Sequence, residues 1–107
     1  MATSQLVKHC PRCRGTRPFR CTGRFRVNAS GRLLDVWLLF ECAGCGDTAR
    51  LPVLERVPVS RVPRARLDAF TANDAALALA VASDRTLLRR GGFRAVRSSR
   101  SSPGRSC

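Results

Sequence analysis

Leu33–Gly46, with the sequence LLDVWLLFECAGCG, decides the fold because it joins a strongly apolar strand to a turn with two cysteines. Its even positions up to Phe40 are all apolar, and its odd positions mix apolar residues with Asp35 and Glu41. This pattern is typical of a central β-strand that is covered on much of both faces. We therefore predict a strand over residues 33–42 that ends at the cysteine turn.

A C-x-x-C turn closes this strand, and a second one lies upstream, with residues 14–41 between the two. The two-residue gap lets a tight turn aim both sulfurs at one ion while backbone N–H groups donate to the thiolates. Gly15 and Gly46 follow the turns and would accept the positive φ that such turns require. Two such turns can close a tetrahedral site of four thiolates. We predict one structural Zn²⁺ ion with four ligands: Cys10, Cys13, Cys42 and Cys45.

Other uses of these cysteines are less consistent with the pattern. A rubredoxin-like iron site uses the same turns and stays an alternative to zinc. A thioredoxin-like redox pair needs a βαβ context that is missing, and disulfides need an oxidising compartment. Four thiolates leave no open coordination position, which disfavours a catalytic zinc ion. His9 and Cys21 are not expected to be ligands, and Cys107 is interpreted as a spare thiol.

The segments on either side of the central strand also have strand character. Phe19–Val27 alternates apolar and polar residues, with Thr22-Gly23 as a bulge or bend, and the turn residues 28–31 favour a hairpin. Arg50–Val57 is interpreted as a third strand. We therefore expect an α+β protein in which a small antiparallel three-stranded Cys₄ zinc ribbon is followed by one or two short helices and a disordered tail.

A row of basic side chains is expected on one face of the first strand. If the alternation continues through the bulge, guanidinium groups lie opposite the apolar residues of that strand and could contact the phosphates of DNA or RNA. A simply solvated basic surface is the other interpretation. The candidate nucleic-acid-binding residues are Arg20, Arg24 and Arg26.

Changes of composition divide the chain into four segments. The zinc-ribbon-like domain is expected over residues 6–57 and a Pro/Arg connector over residues 58–66. A helical segment is predicted over residues 67–92, with Asn73 as an N-cap and Ser83 as the cap of a second short helix. Residues 93–107 are rich in Arg and Ser, and we predict that they are disordered.

Composition limits the classes of function. The 107 residues include 20 basic and 7 acidic ones, a formal net charge of +13, which suits nucleic acid or an acidic protein and not a cationic ligand. All the basic residues except Lys8 are Arg, which partly reflects the codons of a GC-rich genome. His9 is the only histidine and the acidic residues are dispersed, so no base–nucleophile pair suggests an enzyme and no small-molecule substrate is indicated.

No membrane or secretion segment is visible in the sequence. The longest apolar run, residues 75–82, is far shorter than the roughly 20 residues that span a bilayer. The first residues lack the charged and apolar regions of a secretory signal. We therefore expect a cytoplasmic protein, in which cysteines stay reduced and paired cysteines more often bind metal.

Five short stretches carry a resemblance to a known family: Cys10–Cys13, Phe25–Ala29, Leu34–Leu38, Cys42–Cys45 and Asn73-Asp74. Through them the chain resembles a bacterial family known as domain of unknown function 1062. The resemblance covers Cys10 to Arg90. It implies that the four paired cysteines are metal ligands, and it implies no activity. Members of that family usually continue into further helical sequence, so we hypothesise that residues 94–107 are a truncated or frame-shifted end.

Taken together, the sequence predicts a non-enzymatic, zinc-binding module. Nucleic acid bound through the basic hairpin face is the first candidate partner. A protein–protein adaptor with structural zinc is the alternative, and a rubredoxin-like iron electron carrier is a further one.

Overall fold

Five antiparallel strands form one sheet in the computed structural model, which describes residues 4–97. The strand order is β4-β3-β2-β1-β5, and the sheet curls into a half-barrel. The longest strand, β2, pairs with β1 through residues 15–18 and with β3 through residues 19–30. The strands are β1 (Ser4–Cys10), β2 (Gly15–Ser30), β3 (Leu33–Cys42), β4 (Thr48–Pro58) and β5 (Arg94–Arg97).

Three short helices follow β4 and a 3-10 turn. They are α1 (Arg64–Thr71), α2 (Ala75–Ala82) and α3 (Arg85–Arg90). Isolated helices shorter than about 12 residues are marginal in water, so these three depend on packing against the sheet. Asp74 and Asp84 cap α2 and α3 through their side-chain oxygens.

The two caps predicted from the sequence are each wrong by one residue. Asn73 has a positive φ of 53°, which places it in the left-handed region, outside the extended backbone usual for an N-cap. Ser83 closes α2 at its C-terminal end, and its hydroxyl donates to the carbonyl of Leu79. The caps shift to the next residue because Asp offers a carboxylate to the free N–H groups of the first turn.

The hydrophobic core lies between one face of the sheet and the helices. The predicted strand at residues 33–42 is confirmed, and its even positions are buried. Phe25 contacts Phe70 of α1 with ring centroids 5.2 Å apart, and Phe40 contacts Phe93 at 4.6 Å. We call this face, which carries Phe25, Phe40 and Leu51, the inner face. The opposite face of β2, β3 and β4, which carries Arg26, Trp37 and Arg50, is the outer face.

The prediction of a small three-stranded zinc ribbon with one or two helices is wrong. The sheet has five strands, and three helices lie between β4 and β5 in the chain. The missing strands are the two that contact each other at one end of the sheet, β1 and β5. β5 reads Arg-Ala-Val-Arg, so it has no alternation of its own, and backbone pairing with β1 holds it in place.

The predicted disordered tail is also wrong where the structure describes it. Residues 94–97 form β5, with Leu6 opposite Ala95 and Gln5 opposite Val96. Phe93, just before β5, is buried in the core. A composition rich in Arg and Ser predicts disorder, but an edge strand needs backbone partners more than apolar side chains. The rest of the predicted tail, residues 98–107, lies outside the described residues.

Candidate metal centre and outer face

The sheet brings the two cysteine turns together at one end. Cys10 is the last residue of β1 and Cys42 the last residue of β3, and both strands flank β2. On β2, Gly15 pairs with Cys10 and Phe19 pairs with Cys42, only four residues further along. Pairing with a common strand therefore places the two turns side by side although residues 14–41 separate them.

The four sulfur atoms form a compact cluster. All four Sγ atoms lie within 4.8 Å of one another. The Sγ atoms of Cys10 and Cys45 are 3.6 Å apart, and those of Cys13 and Cys42 are 3.8 Å apart. Four sulfurs bound tetrahedrally at a Zn–S distance of about 2.3 Å would be roughly 3.8 Å apart, so the cluster has the size of a metal tetrahedron. The arrangement can hold one metal ion through Cys10, Cys13, Cys42 and Cys45.

Backbone N–H groups point at the sulfurs, as the sequence pattern predicts. The N–H of Cys13 donates to Cys10 Sγ at 3.5 Å, and the N–H of Gly44 donates to Cys42 Sγ at 3.4 Å. Such donors favour the thiolate over the thiol. The positive φ falls on the residue directly after each pair, 57° at Arg14 and 78° at Gly46. The role expected of Gly15 is therefore wrong, because Arg14 takes the left-handed position in the first turn.

The thiols influence one another's protonation. Backbone N–H donors, that of Cys45 first, lower the pKa of Cys42 to about 7. The hydrogen bond with Cys45 and partial burial raise the pKa of Cys13 to about 12. Cys42 therefore ionises more readily than Cys13. A divalent cation would favour the thiolate form of all four cysteines, because its charge offsets the repulsion between them.

The donor set fits a structural ion. Cys10 and Cys42 are buried, Cys13 is half-buried and Cys45 is exposed. Four sulfur ligands fill a tetrahedral coordination sphere, so such an ion has no position for a substrate. Within residues 4–97, this is the one group of three or more His, Cys, Asp or Glu side chains that could hold a metal ion. His9 and Cys21 lie outside it, and Cys107 is not among the described residues.

The basic residues of β2 lie on the outer face. Between Cys21 and Phe25 the strand register shifts, and Gly23 has a φ of 74°, which confirms the predicted bulge. Four steps on β2 there match two steps on β3, so the bulge adds two residues. Because side chains alternate with a period of two, both faces are preserved. Arg20, Arg24 and Arg26 are exposed, whereas Phe19 and Phe25 are buried.

An open cavity of about 660 Å³ lies on this face beside the bulge. Arg20 and Arg24 line it, with Leu39 of β3 and Thr48 of β4. The Thr22 hydroxyl donates to the carbonyl of Leu39 and accepts from the N–H of Arg24, which fixes the backbone of the bulge. The Arg20 guanidinium is 3.7 Å from the carboxylate of Glu41 across the strand pair.

The sequence did not assign a functional role to Trp37 or Arg50. Trp37 lies opposite Arg26 of β2 and Pro52 of β4 on the outer face, where it is half-buried. The Arg50 guanidinium lies over its ring, 5.6 Å from the centroid. Trp37 occupies an odd position of the alternation, which indicates the face opposite the core. This indication was weak because Leu33 and Leu39, at other odd positions of the strand, are also apolar.

The comparisons with known proteins give one match. The model of a family described as "Protein of unknown function (DUF1062)" matches residues 27–100. This range contains Cys42 and Cys45 together with Trp37, and it reaches past β5. No curated protein and no solved structure matches the chain. Among the residues that the structure describes, no helix is long and apolar enough to cross a membrane.

Proposed function

The chain belongs to the DUF1062 family of proteins of unknown function, so we propose its function from its own geometry. We infer that it is a non-enzymatic, zinc-stabilised module that binds nucleic acid through the outer face. The observation that carries the proposal is the pairing of a four-thiol cluster with a basic sheet face on the same strands. β3 ends in the cluster and supplies the middle of the outer face.

Zinc is proposed as the resident metal because the donor set is all sulfur and tetrahedral in size. The ion would tie the ends of β1 and β3 together and would take no part in a reaction. Metal analysis of the purified protein should find one zinc per chain. A red, iron-containing protein would favour the rubredoxin-like electron carrier, and a protein without either metal would contradict the proposal.

The charges of the outer face support a phosphate-rich ligand. Among the described residues, Arg24, Arg26 and Arg50 have no carboxylate oxygen within 4.0 Å of their guanidinium nitrogens. The net charge of +13 would speed the approach of any polyanion, because long-range attraction raises association rates. Guanidinium groups that are not neutralised within the protein can exchange their counterions for phosphates.

Salt-dependent binding to labelled DNA and RNA tests this function. The affinity should fall steeply as salt rises, and the double variant Arg24→Ala/Arg26→Ala should reduce the slope of log K against log salt by about one to two. The matched control is Arg85→Ala/Arg89→Ala, which removes the same charge from exposed positions of α3. Absence of binding at low salt, or equal losses in both double variants, would contradict the proposal.

A protein–protein adaptor is the second candidate, and α2 is the observation that favours it. Its sequence AALALAVA carries no charge, and Leu79 is 48% exposed. An apolar side chain that is exposed on an uncharged helix suits contact with another protein. If no nucleic acid binds at low salt, this candidate remains, and Leu79→Glu is the variant that should abolish capture of a protein partner.

A further inference from the structure

The centre of the outer face holds an aromatic ring between two arginines. Trp37 lies on β3, Arg26 lies directly opposite on β2, and the Arg50 guanidinium lies over the ring from β4. The helices pack on the inner face, so no described helix covers this ring. A half-buried indole on a sheet face, flanked by cations, has the composition of a surface that stacks bases.

We propose that Trp37 is the stacking platform of a binding site for single-stranded nucleic acid. This inference rests on the proposed function and narrows its ligand to unpaired nucleotides. A base would take the place over the ring that the Arg50 guanidinium occupies at 5.6 Å, since both are flat groups attracted to the same π face. The displaced guanidinium would then be free to contact a phosphate.

The neighbourhood of the ring continues the site along the sheet. Leu39 lies two residues from Trp37 on the same face, about 7 Å along the strand. It forms part of the open cavity of about 660 Å³ that Arg20 and Arg24 also line. A strand of nucleic acid that runs from Trp37 towards the cysteine turns would therefore contact the apolar side chain of Leu39, with the guanidinium groups of Arg20 and Arg24 beside it.

The acidic groups of the outer face leave the ring open to an anion. Glu41 lies at the far end of the cavity and pairs with Arg20 at 3.7 Å. The Asp35 carboxylate accepts the backbone N–H of Arg56 at 2.9 Å, on the opposite side of Trp37 along β3. Neither carboxylate lies directly across from the indole, whose cross-strand neighbours are Arg26 and Pro52.

Paired nucleic acid suits this surface less well. In a duplex the base faces are stacked on each other, so a ring fixed on a sheet cannot reach them without unstacking a base pair. Unpaired bases offer their faces freely, and stacking on an aromatic side chain tolerates any base. The expected preference is therefore for single strands, with little dependence on base sequence.

The fluorescence of Trp37 provides a site-specific test, because the chain has one Trp and no Tyr. The probes are a ten-nucleotide oligodeoxythymidine and the same strand in a duplex. The single strand should quench the emission with saturation and bind at least tenfold more tightly than the duplex. Trp37→Leu, followed with a labelled strand, should weaken binding about tenfold without changing the salt slope. Trp37→Phe should retain most of the affinity.

The outcomes separate this inference from the function on which it rests. If both probes bind equally and the emission is unchanged, the proposed function stands and the stacking site is wrong. If Trp37→Leu keeps its zinc and its circular dichroism spectrum and still binds normally, Trp37 serves only to cover the sheet, and the inference is again wrong. If neither probe binds at low salt, the proposed function itself fails.

Discussion

At the scale of single residues, the residue directly after each pair of cysteines has a left-handed backbone conformation. This residue is Arg in the first turn and Gly in the second. Arg14 has a φ of 57° and Gly46 a φ of 78°. A residue with a side chain pays about 1–2 kcal/mol to adopt this conformation. Glycine avoids that cost, but it loses more conformational entropy on folding, so its net advantage is smaller. The first turn therefore stores strain that the second turn avoids.

Two opposite substitutions test this strain. Arg14→Gly should raise the free energy of unfolding by about 0.5–1 kcal/mol, and Gly46→Ala should lower it by about 1 kcal/mol. Denaturant titration of the zinc-loaded protein measures both. Gly15→Ala is the control, because Gly15 has no positive φ and a Cβ there would meet nothing within 4 Å. A Cβ at Gly46 would also meet nothing within 4 Å. The two alanine variants therefore differ only in the backbone φ at the substituted position.

Removal of one sulfur tests the metal centre at the same scale. Cys42→Ser should lose zinc on dialysis and lower the melting temperature by more than about 10 °C, because a four-ligand site would become incomplete. Metal analysis and a thermal melt measure the two effects. His9→Ala is the control, since His9 adjoins Cys10 in sequence and stands outside the sulfur cluster. Zinc retained by Cys42→Ser would argue against the proposed ligand set.

At the scale of elements, Asn73 connects the helices to the sheet. Its side-chain oxygen accepts the backbone N–H of Phe25 at 2.8 Å, just after the bulge of β2. Asn73→Ala leaves that N–H without its partner and also puts Ala at the φ of 53°, which Asn and Asp tolerate better, so it should lower the free energy of unfolding by about 1–3 kcal/mol. Asn73→Asp keeps the acceptor and should cost less. Equal losses in the two variants, measured by denaturant titration, would show that the hydrogen bond is unimportant.

The sequence predicted elements well where side chains carried the pattern. The alternation at Leu33–Cys42 predicted the correct strand, although it indicated cover on much of both faces and only the even positions are buried. The bulge at Thr22-Gly23 was visible as an interruption. The strand predicted at Arg50–Val57 is also confirmed as part of β4, and Pro52 is tolerated there because β4 lies at the sheet edge. The prediction failed where backbone pairing decided the outcome, because β5 has no apolar period of its own.

At the scale of the whole molecule, local spacing could predict a cluster of four thiols, and it could not predict the site on the outer face. Each C-x-x-C pair aims its two sulfurs at one point through local geometry, so the pairing of β1 and β3 with β2 is the one tertiary step that the cluster needs. The group around Trp37 comes from three strands, and its members Arg26 and Arg50 meet only through the sheet register. A site of that kind becomes visible only when the pairing is known.

Without its metal, the molecule is expected to lose most of its stability. The described residues form helices of at most 8 residues and a curled sheet, and the sulfur cluster joins the ends of two strands. Structural zinc contributes about 10 kcal/mol or more to the stability of small domains, comparable with the roughly 5–15 kcal/mol of a whole protein. A chelator such as EDTA should therefore unfold the chain at room temperature, with loss of circular dichroism, and added zinc should restore the spectrum. A metal-free chain that melts at the same temperature as the loaded one would show that the core alone holds the fold.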